Sequence, residues 1–282
     1  MKNVVSSLWL FEHIDDENLF IFDCQFDLFD SNAGHNLYEQ EHLPKAFYLD
    51  LNEDLSGKPL EHGGARPIPD SSVLKTKLQN FGVRSNSTIV LYDTNFYSSP
   101  RAWWQLKFMG FEKVFVLEGG ISAWKSFNFP TCKDIPKSNP SPYPIKLTPK
   151  PNWFTSIDTI KPILDSDVNF TLIDSRNPDR FSGKIEPLYS KKGHIPKAIN
   201  IPWDSLVSFD NNVLNKDSLK NLTKSFNLKD YCITYCGSGI EGAVNMLILD
   251  ELGYHVSLYV GSMSDWISYE ELPVENNIIK NS

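Results

Sequence analysis

The sequence predicts an α/β protein with two tandem domains, each a mainly parallel sheet flanked by helices on both faces. Its 282 residues suit two domains of ordinary size. Short apolar segments alternate with amphipathic helical patterns in each half, as in parallel sheets covered by helices. The same sequence blocks also recur, in the same order, in both halves, which indicates an internal duplication.

A proline-rich stretch separates the two predicted domains. Seven of the 18 prolines lie between residues 130 and 151. Proline lacks a backbone N–H and disfavours helices and central strands, so the stretch is predicted to be a stiff, extended connector. We therefore predict a first domain at residues 1–132, a linker at 133–151 and a second domain at 152–282.

Three blocks carry the duplication. The pattern His-x-Pro-Lys-Ala begins at His42 and again at His194. The apolar strand at 89–93 corresponds to 232–236, and the glycine-to-tryptophan block at 119–124 corresponds to 261–266. Because the two histidines occur in both halves, we predict that they are structural.

The second half places a cysteine where α/β proteins collect their chemistry. We predict strands at 169–173 and 231–235 and a helix at 241–252. The carboxyl ends of parallel strands form the active-site edge of such sheets, and Cys236 directly follows one strand.

Glycines shape the loop that begins at Cys236. Gly237 and Gly239 let the backbone direct successive N–H groups inward, and the following helix adds a partial positive charge. Both effects predict a lowered pKa for the Cys236 thiol. From these residues alone, a buried structural cysteine at a strand end remains an open alternative.

Composition excludes several functions. The net charge of -8 argues against a general nucleic-acid binder. No apolar run approaches the roughly 20 residues of a membrane helix, and the first residues resemble neither a signal nor a transit peptide. We therefore expect a cytoplasmic protein whose other cysteines are reduced, Cys24 and Cys232 in the core and Cys132 near the linker.

The loop Cys-Gly-Ser-Gly-Ile at 236–240, followed by a helix, resembles the active loop of 3-mercaptopyruvate sulfurtransferases. The blocks at 193–202 and 261–266 resemble the rhodanese superfamily, and the resemblance spans nearly the whole chain. It implies two tandem rhodanese-like domains, the first inert because Asp93 stands at the position of Cys236, with a cleft between the domains.

The same resemblance implies the reaction. Cys236 would accept sulfur from a small-molecule donor as a persulfide and pass it to cyanide or to a thiol acceptor, such as thioredoxin or a small thiol. No cofactor and no metal are implied.

The donor is predicted from the residues around the loop. Members that prefer thiosulfate commonly carry Arg and Lys where this chain has Gly237 and Ser238. The absence of these cations favours the monoanion 3-mercaptopyruvate over thiosulfate, held by the loop from Gly237 through Ser238, Gly239 and Ile240 to Glu241. By resemblance, Arg180 binds the donor carboxylate.

Further roles remain open. Ser238 is interpreted either as a hydrogen-bonding group for the donor or as a loop cap. By resemblance, His62 would polarise Ser238 or relay a proton, with Asp50 orienting it, but a solvent-facing loop histidine is equally compatible. Glu241 either raises the pKa of Cys236 or faces outward and complements the helix dipole.

Other basic residues have alternative roles. The family's second arginine, after Glu-Pro, is missing here, and Lys191 or Lys192 either substitutes for it or is a solvated surface lysine. Arg176 is predicted to pair with Asp174 or with another acid as a structural bridge.

Two other functions are compatible with parts of this pattern. A cysteine phosphatase needs an arginine six positions after its cysteine, but residue 242 is glycine and the loop is one residue too short. A non-catalytic rhodanese-like binding or regulatory module is the other alternative. Retention of Cys236 favours the enzyme.

Overall fold

A computed structural model describes residues 2–166, 168–208, 213 and 215–276. The chain divides into two compact units. Of the described residues, the first contains 2–57, 68–151 and 213, and the second contains 58–67, 152–166, 168–208 and 215–276. Each unit is described separately below.

The first unit is built on a parallel five-stranded sheet with the order β1-β5-β4-β2-β3. Its strands are β1 (Val4–Val5), β2 (Leu19–Asp23), β3 (Ala46–Tyr48), β4 (Thr88–Tyr92) and β5 (Val114–Leu117). Its helices are α1 (Ser7–His13), α2 (Ala33–Gln40), α3 (Ser71–Asn80), α4 (Ser98–Met109) and α5 (Gly120–Ser126).

The second unit repeats this sheet with the order β6-β10-β9-β7-β8, again entirely parallel. Its strands are β6 (Phe154–Thr155), β7 (Thr171–Asp174), β8 (Ile199–Asn200), β9 (Tyr231–Tyr235) and β10 (His255–Tyr259). Its helices are α6 (Ile157–Leu164), α7 (Pro178–Phe181), α8 (Lys216–Ser225), α9 (Glu241–Leu252) and α10 (Ser262–Trp266). The predicted α/β class is confirmed, and the parallel sheets bring the ends of β7 and β9 to one edge.

Burial explains why the central strands and helices form where they do. Four of the five residues in β4, and four of the five in β9, are buried, as expected for strands covered on both faces. Helix α9 packs against β9 and β10 and ends at Gly253, whose φ of 94° suits glycine at a helix C-terminus. This packing fixes the loop between β9 and α9 at both ends.

The two units share detailed backbone features as well as topology. The lysine of each His-x-Pro-Lys-Ala block adopts a left-handed φ, 65° in the first unit and 64° in the second. The Tyr92 hydroxyl accepts a hydrogen bond from the Leu43 N–H at 3.0 Å, and the Tyr235 hydroxyl accepts one from the Ile195 N–H at 3.1 Å. Equivalent residues of the two units therefore make the same hydrogen bond and adopt the same backbone conformation, as the internal duplication predicts.

The two block histidines and the two cysteines predicted to lie in the core are buried, as the sequence predicts. His42 is buried with its Nδ1 2.7 Å from the Tyr38 carbonyl oxygen, and His194 lies with Nδ1 2.8 Å from the Phe181 carbonyl oxygen. Cys24 and Cys232 are fully buried.

The unit boundaries differ from the predicted ones in two places. The stretch predicted as a linker at 133–151 packs back onto the first unit, where the Ser141 N–H donates to the Gln79 carbonyl and the Lys150 N–H to the Phe108 carbonyl. Residues 58–67, predicted to belong to the first domain, are part of the second unit. Proline content indicated an extended chain but not the surface against which it packs.

Candidate functional site

Cys236 lies at the carboxyl edge of the second sheet, immediately after β9. Its N–H donates to the Ser262 hydroxyl at 3.1 Å, and its carbonyl accepts from the Met263 N–H at 3.0 Å. These bonds tie the start of the loop to helix α10. The side chain of Cys236 is only 1% exposed.

The pKa of the Cys236 thiol is raised, and the predicted lowering is wrong. The N–H groups of Ser238, Gly239 and Gly242 do lower it, as the anion-nest reasoning expects. Burial is the larger effect and disfavours the thiolate, and the carboxylate of Glu241 raises the pKa further. The backbone nest exists, but desolvation outweighs it.

The carboxylate of Glu241 interacts electrostatically with the Cys236 thiol as well as with the dipole of its own helix. It is the first residue of α9, is half-buried, and its charge acts on the Cys236 thiol. Burial raises its own pKa, while the positive charge of Arg180 opposes that rise. Of the two open interpretations, the structure favours the one in which Glu241 disfavours the thiolate.

We expect Glu241→Gln to lower the pKa of Cys236. The substitution keeps the side-chain shape but removes a negative charge, so more thiolate exists at neutral pH. Iodoacetamide should then alkylate Cys236 roughly threefold faster for a pKa lowered by about one unit, because a less basic thiolate is also less nucleophilic. The measurement is the alkylation rate of Cys236 against pH. Glu271→Gln, at an exposed residue paired with Lys161, is the control and should match the wild type. A midpoint that stays in place in Glu241→Gln would contradict the assigned coupling.

Arg180 reaches the loop from helix α7. A Cβ atom placed on Gly237 would lie 3.6 Å from both terminal nitrogens of Arg180, so the guanidinium covers this glycine. The same guanidinium holds Glu186, with Nη2 2.9 Å from Oε1 and Nε 3.2 Å from Oε2. Arg180 thus lies beside the loop with its guanidinium paired to Glu186, and its binding of the donor carboxylate stays a prediction.

Arg176 is a structural cation, and its predicted bridge to Asp174 is confirmed. Its side chain is fully buried, with Nη2 2.6 Å from Asp174 Oδ2 and 2.7 Å from the Gly193 carbonyl oxygen. Its Nη1 also lies 3.1 Å from Glu186 Oε2. Glu186 therefore sits between Arg176 and Arg180 and fixes the position of the second guanidinium.

Tyr189 is a site residue that the sequence reasoning missed. A Cβ atom on Gly237 would lie 3.1 Å from its hydroxyl oxygen, and its ring lies 5.5 Å from the guanidinium carbon of Arg180. Burial raises the pKa of Tyr189, and the nearby Cys236 raises it further. The missing arginine of the family pattern points to a cation in this segment, and a neutral hydroxyl does not match that pattern.

The two lysines that follow Tyr189 do not provide that replacement. The Nζ atom of Lys191 donates to the backbone carbonyls of Tyr269, Glu270 and Leu272, at 3.1, 2.8 and 3.1 Å respectively. Lys192 is exposed. Lys191 is therefore neither a donor-binding residue nor a solvated surface lysine, because it fastens the segment after α10.

His62 does not contact Ser238, so its predicted relay is not formed. Its Nδ1 lies 2.8 Å from the Ser268 hydroxyl, and its ring stacks on Tyr269 with the ring centres 4.0 Å apart. Asp50 belongs to the first unit and caps its own turn there, where Oδ1 accepts the N–H of Asn52 at 2.7 Å. His62 and Asp50 match the family pattern only in their spacing along the chain, and in the fold they contact other residues.

Ser238 is hydrogen-bonded instead by Arg66. The Arg66 Nη1 atom donates to the Ser238 hydroxyl oxygen at 3.2 Å, and both residues belong to the second unit. The two are 172 residues apart in sequence, so periodicity and local spacing carry no signal for this pair. The sequence signal for Arg66 is only its place four residues after His62, in the segment whose pattern resembles the family.

Among the described residues, no cluster of three or more His, Cys, Asp or Glu side chains is arranged to hold a metal ion. No described helix has the length and apolar composition to cross a membrane.

The family model for the rhodanese-like domain matches this chain twice, at residues 6–127 and 157–269. The chain belongs to the rhodanese family. Each match falls on one of the two repeated sheets, so the expected tandem rhodanese fold is confirmed.

Named relatives cover nearly the whole chain. A probable 3-mercaptopyruvate sulfurtransferase from Pseudomonas aeruginosa is 32% identical, covering 93% of both chains. The 3-mercaptopyruvate sulfurtransferase of Escherichia coli is 31% identical, covering 96% of this chain and 97% of its own. A putative thiosulfate sulfurtransferase from Mycobacterium tuberculosis is 32% identical over 90% of this chain and 89% of its own. The expected enzyme class, a sulfurtransferase, is thereby confirmed.

A solved structure agrees. The crystal structure of SseA from Escherichia coli, described as a 3-mercaptopyruvate sulfotransferase with the rhodanese fold, superposes with a TM-score of 0.80 at 28% identity. It covers 94% of this chain and 100% of its own.

In the first rhodanese domain, the loop after β4 surrounds the carboxylate of Asp93 with hydrogen-bond donors. The carboxylate of Asp93, which follows β4 as Cys236 follows β9, accepts N–H groups from Phe96, Tyr97, Ser98 and Ser99 at 2.8 to 3.1 Å. It also accepts the hydroxyls of Ser98 and Ser99, at 2.8 and 3.0 Å. The loop is an anion cradle, and in this domain a carboxylate fills it permanently.

The first rhodanese domain has also replaced the buried cation. Gln25 stands two residues after Asp23, as Arg176 stands two after Asp174, and donates to the Asp23 carboxylate at 2.9 and 3.0 Å. Without a guanidinium, burial raises the pKa of Asp23 to about 7. The first domain therefore has neither the cysteine nor the arginine that the second domain carries at these two positions.

Proposed function

We propose that this rhodanese moves sulfur from 3-mercaptopyruvate to a thiol acceptor through a persulfide on Cys236. The observation that supports it most directly is the placement of Cys236 at the end of β9, inside backbone N–H groups of its loop and beside Arg180. A nucleophilic sulfur, an anion cradle and a guanidinium together suit an anionic sulfur donor.

The proposed step balances without an added oxidant. The Cys236 thiolate attacks the sulfur of mercaptopyruvate, the carbon–sulfur bond breaks, and its electron pair goes to the carbon as the enolate of pyruvate. The donor's thiol proton, or one from solvent, converts the enolate to pyruvate and leaves the persulfide. An acceptor thiolate or cyanide then attacks the outer sulfur and releases the Cys236 thiolate.

The raised pKa of Cys236 shapes the kinetics of this step. Only the thiolate fraction reacts, but a thiolate of higher pKa is also intrinsically more nucleophilic, which offsets part of the loss. The turnover rate should therefore rise with pH until the thiol is ionised.

The surroundings of Gly237 favour mercaptopyruvate over thiosulfate. Position 237 is a glycine, whose Cβ would lie 3.1 Å from the Tyr189 hydroxyl and 3.6 Å from the Arg180 terminal nitrogens, so the loop adds no second cation there to suit a dianion. Glu241 adds a negative charge that opposes a doubly charged donor more than a singly charged one.

Side-by-side kinetics with the two donors and cyanide test this proposal. We expect kcat/KM for mercaptopyruvate to exceed that for thiosulfate by at least about tenfold, since a difference of about 1.4 kcal/mol produces that ratio. Equal or higher efficiency with thiosulfate would contradict the donor assignment. Absence of thiocyanate with both donors would favour the alternative, a non-catalytic binding module.

The acceptor and the location belong to the same proposal. A reduced thiol, such as thioredoxin or a small thiol, suits an outer sulfur atom that any thiolate can attack. Such acceptors are maintained in the cytoplasm, which is the compartment we propose.

A further inference from the structure

Residues 58–67 are fastened along the start of helix α10. The Gly63 N–H donates to Asp265 Oδ1 at 2.7 Å, and the Ala65 N–H donates to the Ser264 hydroxyl at 2.9 Å. The contacts of His62 with Ser268 and with the ring of Tyr269 extend the same attachment. The segment is thus held at several successive residues.

Gly64 makes this attachment close. Its φ is +87°, and a Cβ atom there would lie 2.5 Å from the carbonyl oxygen of Gly261. Any other residue would push the two backbones apart. The strap, as we name residues 58–67, therefore has a fixed position relative to α10 and to the loop that α10 anchors.

The strap places the Arg66 side chain within hydrogen-bond distance of the Ser238 hydroxyl. A guanidinium carries only hydrogen-bond donors, so in the 3.2 Å contact the serine oxygen accepts. The hydroxyl hydrogen of Ser238 is then left to donate to a different group. Ser238 is 8% exposed and lies two residues after Cys236, so that group lies within the loop or in a molecule bound there.

We propose that Arg66 is a positioning residue that aims the Ser238 hydroxyl at the donor's keto oxygen and stabilises the charge that develops there. The inference rests on the proposed function, because the keto oxygen belongs to mercaptopyruvate. When the carbon–sulfur bond breaks, the electron pair delocalises onto this oxygen as an enolate. A donor hydroxyl polarised by an adjacent guanidinium stabilises the enolate more than the neutral ketone.

Arg66 keeps its positive charge at every working pH, whereas a histidine that donated to Ser238 would lose its charge as the pH rises. Arginine stays protonated throughout the working pH range, whereas an unperturbed imidazole loses its charge near pH 6.5. The help that Ser238 receives from Arg66 is therefore independent of pH. A histidine in its place would provide the same help only in its protonated form.

Three variants test the inference by their kinetics with mercaptopyruvate. Arg66→Met should lower kcat about 100-fold with a smaller change in KM, since removing one donor from an oxyanion site costs about 10²–10³ in kcat. Arg66→Lys keeps the charge and should recover part of the loss. Lys58→Met removes a cation from an exposed position of the same strap and should match the wild type. Thermal melting of each variant reports whether the strap stays attached.

The pH profile supplies a readout that a purely structural role would leave unchanged. Arg66→His should show a kcat that falls as pH rises through the range in which imidazole loses its proton, a limb that the wild type lacks. An Arg66→Met variant with kcat within about threefold of wild type, or an Arg66→His profile of unchanged shape, would overturn the inference while leaving the proposed function intact. A wild type that forms no pyruvate and no thiocyanate would overturn both.

Discussion

Replacement of Cys236 by serine is expected to abolish sulfur transfer while preserving the fold. Serine cannot form a persulfide, and its hydroxyl ionises far less readily than a thiol, so kcat should fall by at least about 10³-fold. The oxygen is slightly smaller than sulfur and still accepts the N–H groups of Ser238, Gly239 and Gly242, which act on the thiol in the wild type. The measurement is thiocyanate formation from mercaptopyruvate and cyanide, alongside thermal melting.

Cys232→Ser is the matched control for this result. Cys232 lies on the same strand, four residues earlier, and is fully buried with its Sγ 3.3 Å from the Lys229 carbonyl oxygen. Burial raises its pKa to about 12. The control should keep its turnover rate. A Cys236→Ser protein that retains turnover, or a Cys232→Ser protein that loses it without unfolding, would place the nucleophile elsewhere.

Asp93→Ala is expected to destabilise the first unit by about 3–5 kcal/mol. The substitution leaves four backbone N–H groups and the Ser99 hydroxyl without their acceptor, whereas the Ser98 hydroxyl keeps the Cys24 carbonyl oxygen. Each buried group left unsatisfied costs about 1–3 kcal/mol before relaxation and water entry. Asp93 is 3% exposed, so solvent offers little compensation. Chemical unfolding of the purified protein measures the loss.

Asp93→Asn separates the loss of an acceptor from the loss of shape. It keeps one side-chain oxygen and should therefore lose clearly less stability than Asp93→Ala. Because the chain has two units, their transitions can separate, and hydrogen exchange of the amides of residues 96–99 locates the change. An Asp93→Ala variant within about 0.5 kcal/mol of wild type, with unchanged exchange at these amides, would contradict the cradle interpretation.

Local sequence patterns were enough for the fold and for the identity of the loop. The duplicated blocks, the strand before Cys236 and the glycine-bearing turn depend on neighbours in sequence, and each is found where it was expected. The ion pair of Arg176 with Asp174 was also predictable, because two residues at the end of one strand can bond each other directly.

The features that the sequence did not predict depend on how the folded chain packs, which local motifs do not reveal. The pKa of Cys236 is set by a balance between burial and backbone N–H groups, and no motif reveals which is larger. Arg66 reaches Ser238 only because residues 58–67 are part of the second unit. His62 lies in the same segment, but its ring contacts Ser268 and Tyr269. Residue type and spacing therefore indicated His62 as the partner of Ser238, where the structure has Arg66.

The most direct measurement is the intact mass of the purified protein after one equivalent of 3-mercaptopyruvate, in the absence of an acceptor. We predict a gain of one sulfur atom, mapped by peptide analysis to Cys236, that cyanide removes as thiocyanate. Sulfur found on Cys24, Cys132 or Cys232, or pyruvate release without any sulfur retained on the protein, would contradict a persulfide carried by Cys236.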